Sequence, residues 1–202
     1  MRGLAVLALL LSLIGAARAA SAEAPSVSAD QVGAISKVSI LQTGTGNQAT
    51  VDQSGGAGDV SMQQDGAANG ASVTQTGAGY DQAAVAQEGS SNVANLIQSG
   101  GYNTAVLGQS GTGNQSNLQQ TALAGGGNLA VLAQFGSNDA ASITQDGAAN
   151  TALESQIGNG DTESVTQTGA NNDVVYSQIG NNLPDLAVKQ TGGMTVTILQ
   201  TH

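Results

Sequence analysis

Residues 36–53 read SKVSILQTGTGNQATVDQ and contain two short runs in which every second residue is apolar or glutamine. The first run, residues 38–42, has the pattern V-x-I-x-Q, and the second, residues 49–53, has the pattern A-x-V-x-Q. A polar turn rich in Gly and Asn joins them. Alternation with a period of two is typical of a strand that buries one face. The stretch therefore predicts two short strands connected by a tight turn.

The same unit of eleven residues recurs to the end of the chain, and a glutamine marks each copy. The spacing is eleven nearly throughout, with twelve at two places, fourteen between Gln120 and Gln134, and ten at the last step. A fixed period of this kind is the signature of a solenoid or repeat array. The marking glutamines are Gln42, Gln53, Gln64, Gln75, Gln87, Gln98, Gln109, Gln120, Gln134, Gln145, Gln156, Gln167, Gln178, Gln190 and Gln200.

The positions around each glutamine have fixed chemistry. The residue two before it is apolar except at Glu154, and the residue two after it is Gly except at Ala122 and, after the last glutamine, His202. The residue four before it is mostly Ala or Val, and the residue six before it is mostly Asn or Asp. Gly and Asn tolerate positive φ, which suits a turn. We predict that the glutamines point inward together with Asn47, Asn69, Asn92, Asn103, Asn114 and Asn150.

Two geometries fit this pattern, an antiparallel meander and a β-arch solenoid. The solenoid fits better because small inward residues let two facing sheets approach closely, and identical amides then stack as ladders. A buried glutamine without a partner would cost a few kcal/mol, which a ladder avoids. The predicted fold is an all-β, two-sheet β-arch solenoid, cross-β and amyloid-like, of about fifteen short strands. Fifteen strands make about seven and a half layers, about 36 Å at 4.8 Å per layer, and leave a half layer at one end.

The first residues predict export. Residues 1–19 have a positive start, an apolar segment and an A-x-A site, which is the pattern of a signal peptide, with cleavage after Ala19 or Ala22. Residues 20–36 are small and polar with Pro25, and we expect a flexible leader without regular structure. Residues 37–202 are then the repeat domain. The chain has no cysteine, so disulfides do not stabilise it.

The charge excludes several partners. Removal of residues 1–19 leaves two lysines against all fourteen acids and changes the formal charge from −10 to −12. A nucleic-acid binder needs Lys and Arg to neutralise phosphates, so no nucleic acid is expected. Anionic membrane surfaces are disfavoured for the same reason, and the apolar start is too short to span a bilayer.

No catalytic, cofactor or metal site is predicted. His202 is the only histidine, and no Cys or suitably placed Lys can partner a Ser or Thr nucleophile. The chain is therefore expected not to be an enzyme and to need no cofactor. An alternative is a monomeric solenoid that binds a surface, as in adhesins or ice-binding proteins. That function needs a regular outward array, and the residues directly before the glutamines form no regular row of Thr or aromatic residues.

Glu154 and Glu163 fall at inward positions of consecutive strands. The simpler interpretation is a local slip in which Leu153 turns inward and the acids reach water. The alternative is a buried pair of like charges with raised pKa values.

The motif S-x5-Q-x-G-x-G-N-x-A-x3-Q of residues 36–53 resembles the curlin family at every motif position. Residues 98–109 and 145–156 repeat its second half with the middle Gly changed. The resemblance implies a secreted structural subunit of curli, the amyloid fibres on bacterial surfaces that support biofilm matrix and adhesion. It also implies a nucleator curlin, an outer-membrane secretion pore that recognises the leader, and periplasmic chaperones as partners. The array is longer than is usual for the family and lacks a basic C-terminal repeat, which favours the major subunit over the minor, nucleating one.

The two ends of the array are nearly the same pentapeptide. Residues 38–42 are VSILQ and residues 196–200 are VTILQ, and neither contains Pro or a charge. Proteins usually place a Pro or a charge in an exposed edge strand, which prevents it from pairing with another chain. We therefore predict that the chain polymerises with itself through these edges, with inward residues Val38, Ile40, Val196 and Ile198.

Overall fold

A computed structural model describes residues 23–33, 36–123 and 125–201. These residues form strands connected by turns, which confirms the predicted all-β class, and they contain no helix long and apolar enough to cross a membrane. The predicted signal peptide and His202 lie outside the described residues. The strands are β1 Ser26–Gly33, β2 Ser36–Thr45, β3 Gln48–Ala67, β4 Gly70–Ser90, β5 Val93–Ser99, β6 Thr104–Thr112, β7 Gln115–Ala122, β8 Leu129–Ser137, β9 Ala140–Ala148, β10 Thr151–Asn159, β11 Thr162–Ala170, β12 Asp173–Asn181, β13 Leu186–Thr191 and β14 Thr195–Thr201.

Strands pair in parallel with the strand two repeats away, not with their neighbour in sequence. Strand β10 lies between β8 and β12, whereas β11 lies between β9 and β13. Strands β3 and β4 each run through two repeats and join the two sets. The first sheet contains β1, residues 48–55 and 70–77, β5, β7, β9, β11 and β13. The second contains β2, residues 58–67 and 82–90, β6, β8, β10, β12 and β14. This is the predicted β-arch solenoid.

Strand β1 corrects the expected leader. Residues 26–33, expected to lack regular structure, pair with residues 48–55 of β3, and Gln31 lies beside Gln53. Gln31 stands eleven residues before Gln42, so the repeat begins one unit earlier than predicted. Pairing also satisfies backbone groups that β3 would otherwise leave open at its edge.

The added strand changes the count of layers. Sixteen repeats fill eight complete layers, each with one strand from either sheet, so the predicted half layer does not exist. At about 4.8 Å per layer the stack is about 38 Å long. Both ends of the solenoid are therefore flat, complete layers.

The core lies between the two sheets and follows the repeat. Small residues such as Ala94 and Ala152 alternate with larger ones such as Leu96 and Ile143, and all four are buried. The residues between them point to solvent. Such a core is thin, which lets the glutamines of both sheets reach backbone groups of the opposite sheet.

The turns explain the recurrent glycine. Gly44 has φ 101°, and a Cβ there would overlap the carbonyl oxygen of Gly66 in the next layer. Backbones of successive layers stack so closely at this position that a side chain has no room. The irregular spacings are absorbed in turns, because Gln87 lies beside Gln64 and Gln134 beside Gln109.

Candidate assembly site

The glutamines form two unbroken ladders, one in each sheet. In each step the Nε2 of one glutamine donates to the Oε1 of the glutamine in the next layer, at 2.6–3.0 Å. The first ladder is Gln31, Gln53, Gln75, Gln98, Gln120, Gln145, Gln167 and Gln190. The second is Gln42, Gln64, Gln87, Gln109, Gln134, Gln156, Gln178 and Gln200.

The second amide hydrogen of the inner glutamines other than Gln53 and Gln75 links the two sheets. Gln98 Nε2 donates to the carbonyl oxygen of Gln82 at 2.9 Å, and Gln145 Nε2 donates to that of Leu129 at 2.9 Å. In these glutamines both amide hydrogens are used inside the core, which removes the cost of burying the amide. In every ladder step the donor is the glutamine nearer the N-terminus, so the stack has a direction.

Asparagines form a second set of ladders at the turns. The Oδ1 of Asn47 accepts from the backbone N–H of Asn69 at 3.0 Å, and the Nδ2 of Asn47 donates to the carbonyl oxygen of its own turn at Thr43 at 2.9 Å. The amide therefore ties a turn to itself and to the layer above. The other predicted turn residues, Asn69, Asn92, Asn103, Asn114 and Asn150, are likewise buried and bonded along the stack.

Four strands form the two end layers. β1 and β2 each pair on one side only, with β3, and β13 and β14 pair on one side only, with β11 and β12. The predicted edge residues point toward the core: Ile40 is buried, and Val38, Val196 and Ile198 are partly buried against it. Sequence reasoning identified β2 and β14 but missed β1 as an edge, although the spacing from Gln31 to Gln42 was a usable signal.

The two ends have complementary hydrogen-bonding groups. At the N-terminal end, Gln42 Oε1 is buried and accepts no hydrogen bond within the described residues. At the C-terminal end, Gln200 Nε2 donates to the carbonyl oxygen of Pro184 at 3.1 Å, and the step to a further glutamine is missing. One end offers acceptors and the other offers donors.

Charge is also distributed unevenly along the stack. Lys37 and Lys189 are the only lysines, and they lie in the first and last layers, on β2 and β13. Lys189 directly precedes Gln190, and Asp30 directly precedes Gln31 at the other end. The two residues occupy the same place in the repeat on the same sheet.

Glu154 and Glu163 are buried, at 3% and 2% exposure, and none of their carboxyl oxygens has a hydrogen-bond partner in the described chain. Leu153 points outward and is 36% exposed, so the expected local slip is wrong. Desolvation and the neighbouring Glu163 carboxyl raise the pKa of Glu154 well above its usual value. Desolvation raises the pKa of Glu163 to about 8. A neutral, protonated pair is the form that fits this core.

Two aspartates replace asparagine in one turn ladder near this pair. Asp139 Oδ1 accepts from the N–H of Asp161, and Asp161 Oδ1 accepts from the N–H of Leu183 at 2.8 Å. Their Oδ2 atoms are buried without a partner, where Asn114 instead donates through Nδ2 to the carbonyl oxygen of Gly136. An ionised oxygen cannot donate there, and desolvation raises the pKa of Asp139.

The described residues contain no group of three or more His, Cys, Asp or Glu side chains that could hold a metal ion. The candidate assembly site itself consists of amides, apolar side chains and open strand edges.

Residues 36–66 match the family model of the curlin associated repeat. The match covers 31 of the 202 residues, so these residues carry a curlin associated repeat. The matched segment covers β2 and most of β3, and the structure continues the same register through β14. No curated protein and no solved structure matches the chain. The curlin repeat and the solenoid together indicate a structural protein.

Proposed function

We propose that this curlin-repeat protein is the major subunit of an extracellular amyloid fibre and that it polymerises end to end by stacking of strands. The fibre would support biofilm matrix and cell adhesion. The observation that carries the proposal is the complementarity of two complete, open end layers. Each end layer leaves backbone groups unpaired, and an identical copy can satisfy them by adding the next two strands.

The repeat fixes the register of this contact. Strand β13 of one copy pairs with β1 of the next, and β14 pairs with β2, so that all pairs remain parallel. Gln190 and Gln200 then donate to Gln31 and Gln42 of the neighbouring copy. The buried Oε1 of Gln42 acquires the donor that it lacks in the single chain. Because both end layers are complete, the next copy can continue the layer-to-layer stacking that exists within the chain.

Charge complementarity supports the same register. In the continued first sheet, Lys189 of one copy lies beside Asp30 of the next, because both residues directly precede a ladder glutamine. A pair of opposite charges on neighbouring strands contributes roughly 0.2–1 kcal/mol. Its main effect is to favour head-to-tail contact over contact between two like ends.

The remaining partners follow from the resemblance to curlins. Residues 1–19 direct export, residues 20–36 are recognised by an outer-membrane secretion pore after handling by periplasmic chaperones, and a nucleator curlin starts the fibre. The folded part of that leader, β1, would take its place in the first layer only after passage through the pore.

The proposal is tested with purified residues 20–202, followed over time by thioflavin fluorescence, electron microscopy and fibre diffraction. Fibres with a meridional spacing of about 4.7–4.8 Å are expected. The matched variants are Ile198→Lys and Thr197→Lys, which place the same charge on the same strand. Ile198 is inward and partly buried, whereas Thr197 is exposed.

Ile198→Lys should abolish elongation because it puts a charge into the contact between copies, and Thr197→Lys should elongate at close to the wild-type rate. Fibres from Ile198→Lys at the wild-type rate would mean that assembly uses another surface. A wild-type chain that stays monomeric at all concentrations would refute the fibre function itself.

A further inference from the structure

The outward side of the second sheet carries an apolar face in its last layers. Two rows of large apolar side chains run along the stack, each in register from layer to layer: Leu153 lies beside Val131 and Val175, and Ile157 lies beside Phe135 and Ile179. We call these six residues the apolar face. Phe135 is 52% exposed, and Ile157 and Ile179 are exposed to a similar degree.

The face is a groove between two ridges. The column between the rows is formed by Ala133, Ser155 and Ser177, which are small. The ridges are four residues apart along each strand, about 13 Å. A ridge of a second, identical face has the same spacing of about 4.8 Å between layers, so it can enter this groove with its side chains between those of the first.

No charge interrupts the apolar face, although the chain has a formal charge of −10. The outward column that contains Phe135 carries Asp65 and Glu88 nearer the N-terminal end. On the opposite sheet the equivalent column carries Thr121, Asp146 and Thr168. Large apolar residues are thus aligned in two rows on these layers of the second sheet, where solvation of a monomer would favour polar ones.

The size of the face decides what can cover it. Three layers of about 4.8 Å and a width of roughly 17 Å give a footprint of roughly 250 Å², whereas a stable dimer needs roughly 800 Å² on each partner. Two single chains therefore gain too little to stay together. In an end-to-end polymer the face recurs every eight layers on the same side, and the contacts of two such polymers add along their length.

We propose that the apolar face joins two fibres of this protein side by side, with a second copy of the same face as its occupant. The proposal rests on the end-to-end function proposed above. It separates two interfaces: the end layers make the fibre, and the apolar face pairs the fibres. Because both fibres are acidic, pairing needs screening and strengthens as the salt concentration rises.

The test compares fibres of the wild type with those of the triple variant Phe135→Thr, Ile157→Thr, Ile179→Thr. Threonine occupies the equivalent column of the opposite sheet, so the fold accepts it. The matched control is Thr76→Ala, Thr121→Ala, Thr168→Ala on that opposite sheet. Mass per length from scanning transmission electron microscopy in 150 mM salt gives the number of solenoids in a fibre. The wild type and the control should contain two, and the triple variant should show a two-fold lower mass per length.

A second variant, Ile157→Glu, places like charges at the centre of the contact and should also give single fibres. The acidic Asp146 in the equivalent column of the opposite sheet shows that the fold accepts a carboxylate there. Wild-type fibres that are single, or triple-variant fibres that remain paired, would overturn the proposal. Absence of any wild-type fibre would instead refute the end-to-end function on which it rests.

Monomers provide the remaining control. Freshly desalted wild-type protein should sediment as a monomer, and it should not co-sediment with phosphatidylcholine vesicles. Binding of the monomer to these vesicles, together with single wild-type fibres, would make the apolar face a lipid-binding surface and contradict the pairing of fibres.

Discussion

Each glutamine in the core is tolerable only because its neighbours in the stack are glutamines too. Gln98 accepts from Gln75 Nε2 at 2.8 Å and donates to Gln120 Oε1 at 2.9 Å. Replacement by a leucine would fill the space but leave Gln75 Nε2 and Gln120 Oε1 without their partner. A substitution in one layer of the ladder therefore affects the hydrogen bonds of three layers, its own and the two beside it.

Gln98→Ala should destabilise the fibre by about 1–3 kcal/mol, because the amides of Gln75 and Gln120 each lose a buried partner. Asn95→Ala, on the exposed side of the same strand, is the control and should change stability by less than about 0.5 kcal/mol. The measurement is the guanidinium concentration at which half of the fibre dissolves. Equal shifts for the two variants would contradict the role of the ladder.

The buried acids predict a dependence of stability on pH. The pKa of Glu163 is raised to about 8, and that of Glu154 is raised well above normal. Below about pH 4 both the folded and the unfolded chain are protonated, and the burial carries no charge penalty. As pH rises, the unfolded chain releases its protons first, so stability falls, and the loss continues through about pH 8. Dissolution of wild-type fibres should therefore need most guanidinium in acid.

The double variant Glu154→Val, Glu163→Ala restores the residue types usual at these positions and should flatten this profile between pH 4 and 8.5. A small slope should remain, because the pKa values of Asp139 and Asp81 are also raised by desolvation. Superimposable profiles for the variant and the wild type would mean that the pair titrates as it does in water.

Sequence reasoning was least successful at this pair, and the cause is physical. Leu153 is the stronger candidate for burial by hydrophobicity alone, which made a local slip attractive. A slip by one residue reverses every side chain of the strand, and it would have removed Gln156 and Ala152 from the core. Pairing with β8 and β12 on both sides held the register, and the acids remained buried.

At the scale of strands, the register could be predicted from the sequence almost completely, because glutamine and glycine recur at fixed places. Strand β1 was missed since its inward residues are weak: Val27 and Ala29 precede Gln31, and Pro25 stands just before them. The sequence of β1 therefore has little β-strand propensity of its own. The backbone hydrogen bonds to β3 stabilise this strand, and the sequence of β1 alone does not indicate them.

The edge strands give a charge-reversal prediction. Lys189→Asp should slow elongation several-fold, because it places like charges on β13 and on β1 of the next copy. Asp30→Lys in the same chain should restore the rate, since the pair is then reversed but complementary. Thioflavin kinetics at 50 mM and 500 mM salt measure the effect, which should shrink at high salt. Failure of the second substitution to rescue the first would contradict the pairing of β13 with β1.

At the scale of the molecule, the stack is a row of similar layers without one central core. Each layer contacts only the layers beside it, so the free energy of folding accumulates along one axis and the end layers differ from the others only in lacking a neighbour. Growth by addition of a copy is then the same process as folding of the next layer. The common direction of the hydrogen bonds in the glutamine ladders makes the two ends of the stack unlike. Variants damaged at opposite ends should therefore behave differently when they are mixed.

Ile40→Lys damages the N-terminal end layer alone, and Ile198→Lys damages the C-terminal end layer alone. Each variant by itself should remain monomeric, because every contact between two copies would use one damaged end. An equimolar mixture should form dimers and stop there: the intact C-terminal end of the first variant meets the intact N-terminal end of the second, and both outer ends of the pair are damaged. Sedimentation velocity and mass photometry distinguish monomers, dimers and fibres. Fibres in the mixture, or dimers from either variant alone, would contradict a head-to-tail contact made by these two layers.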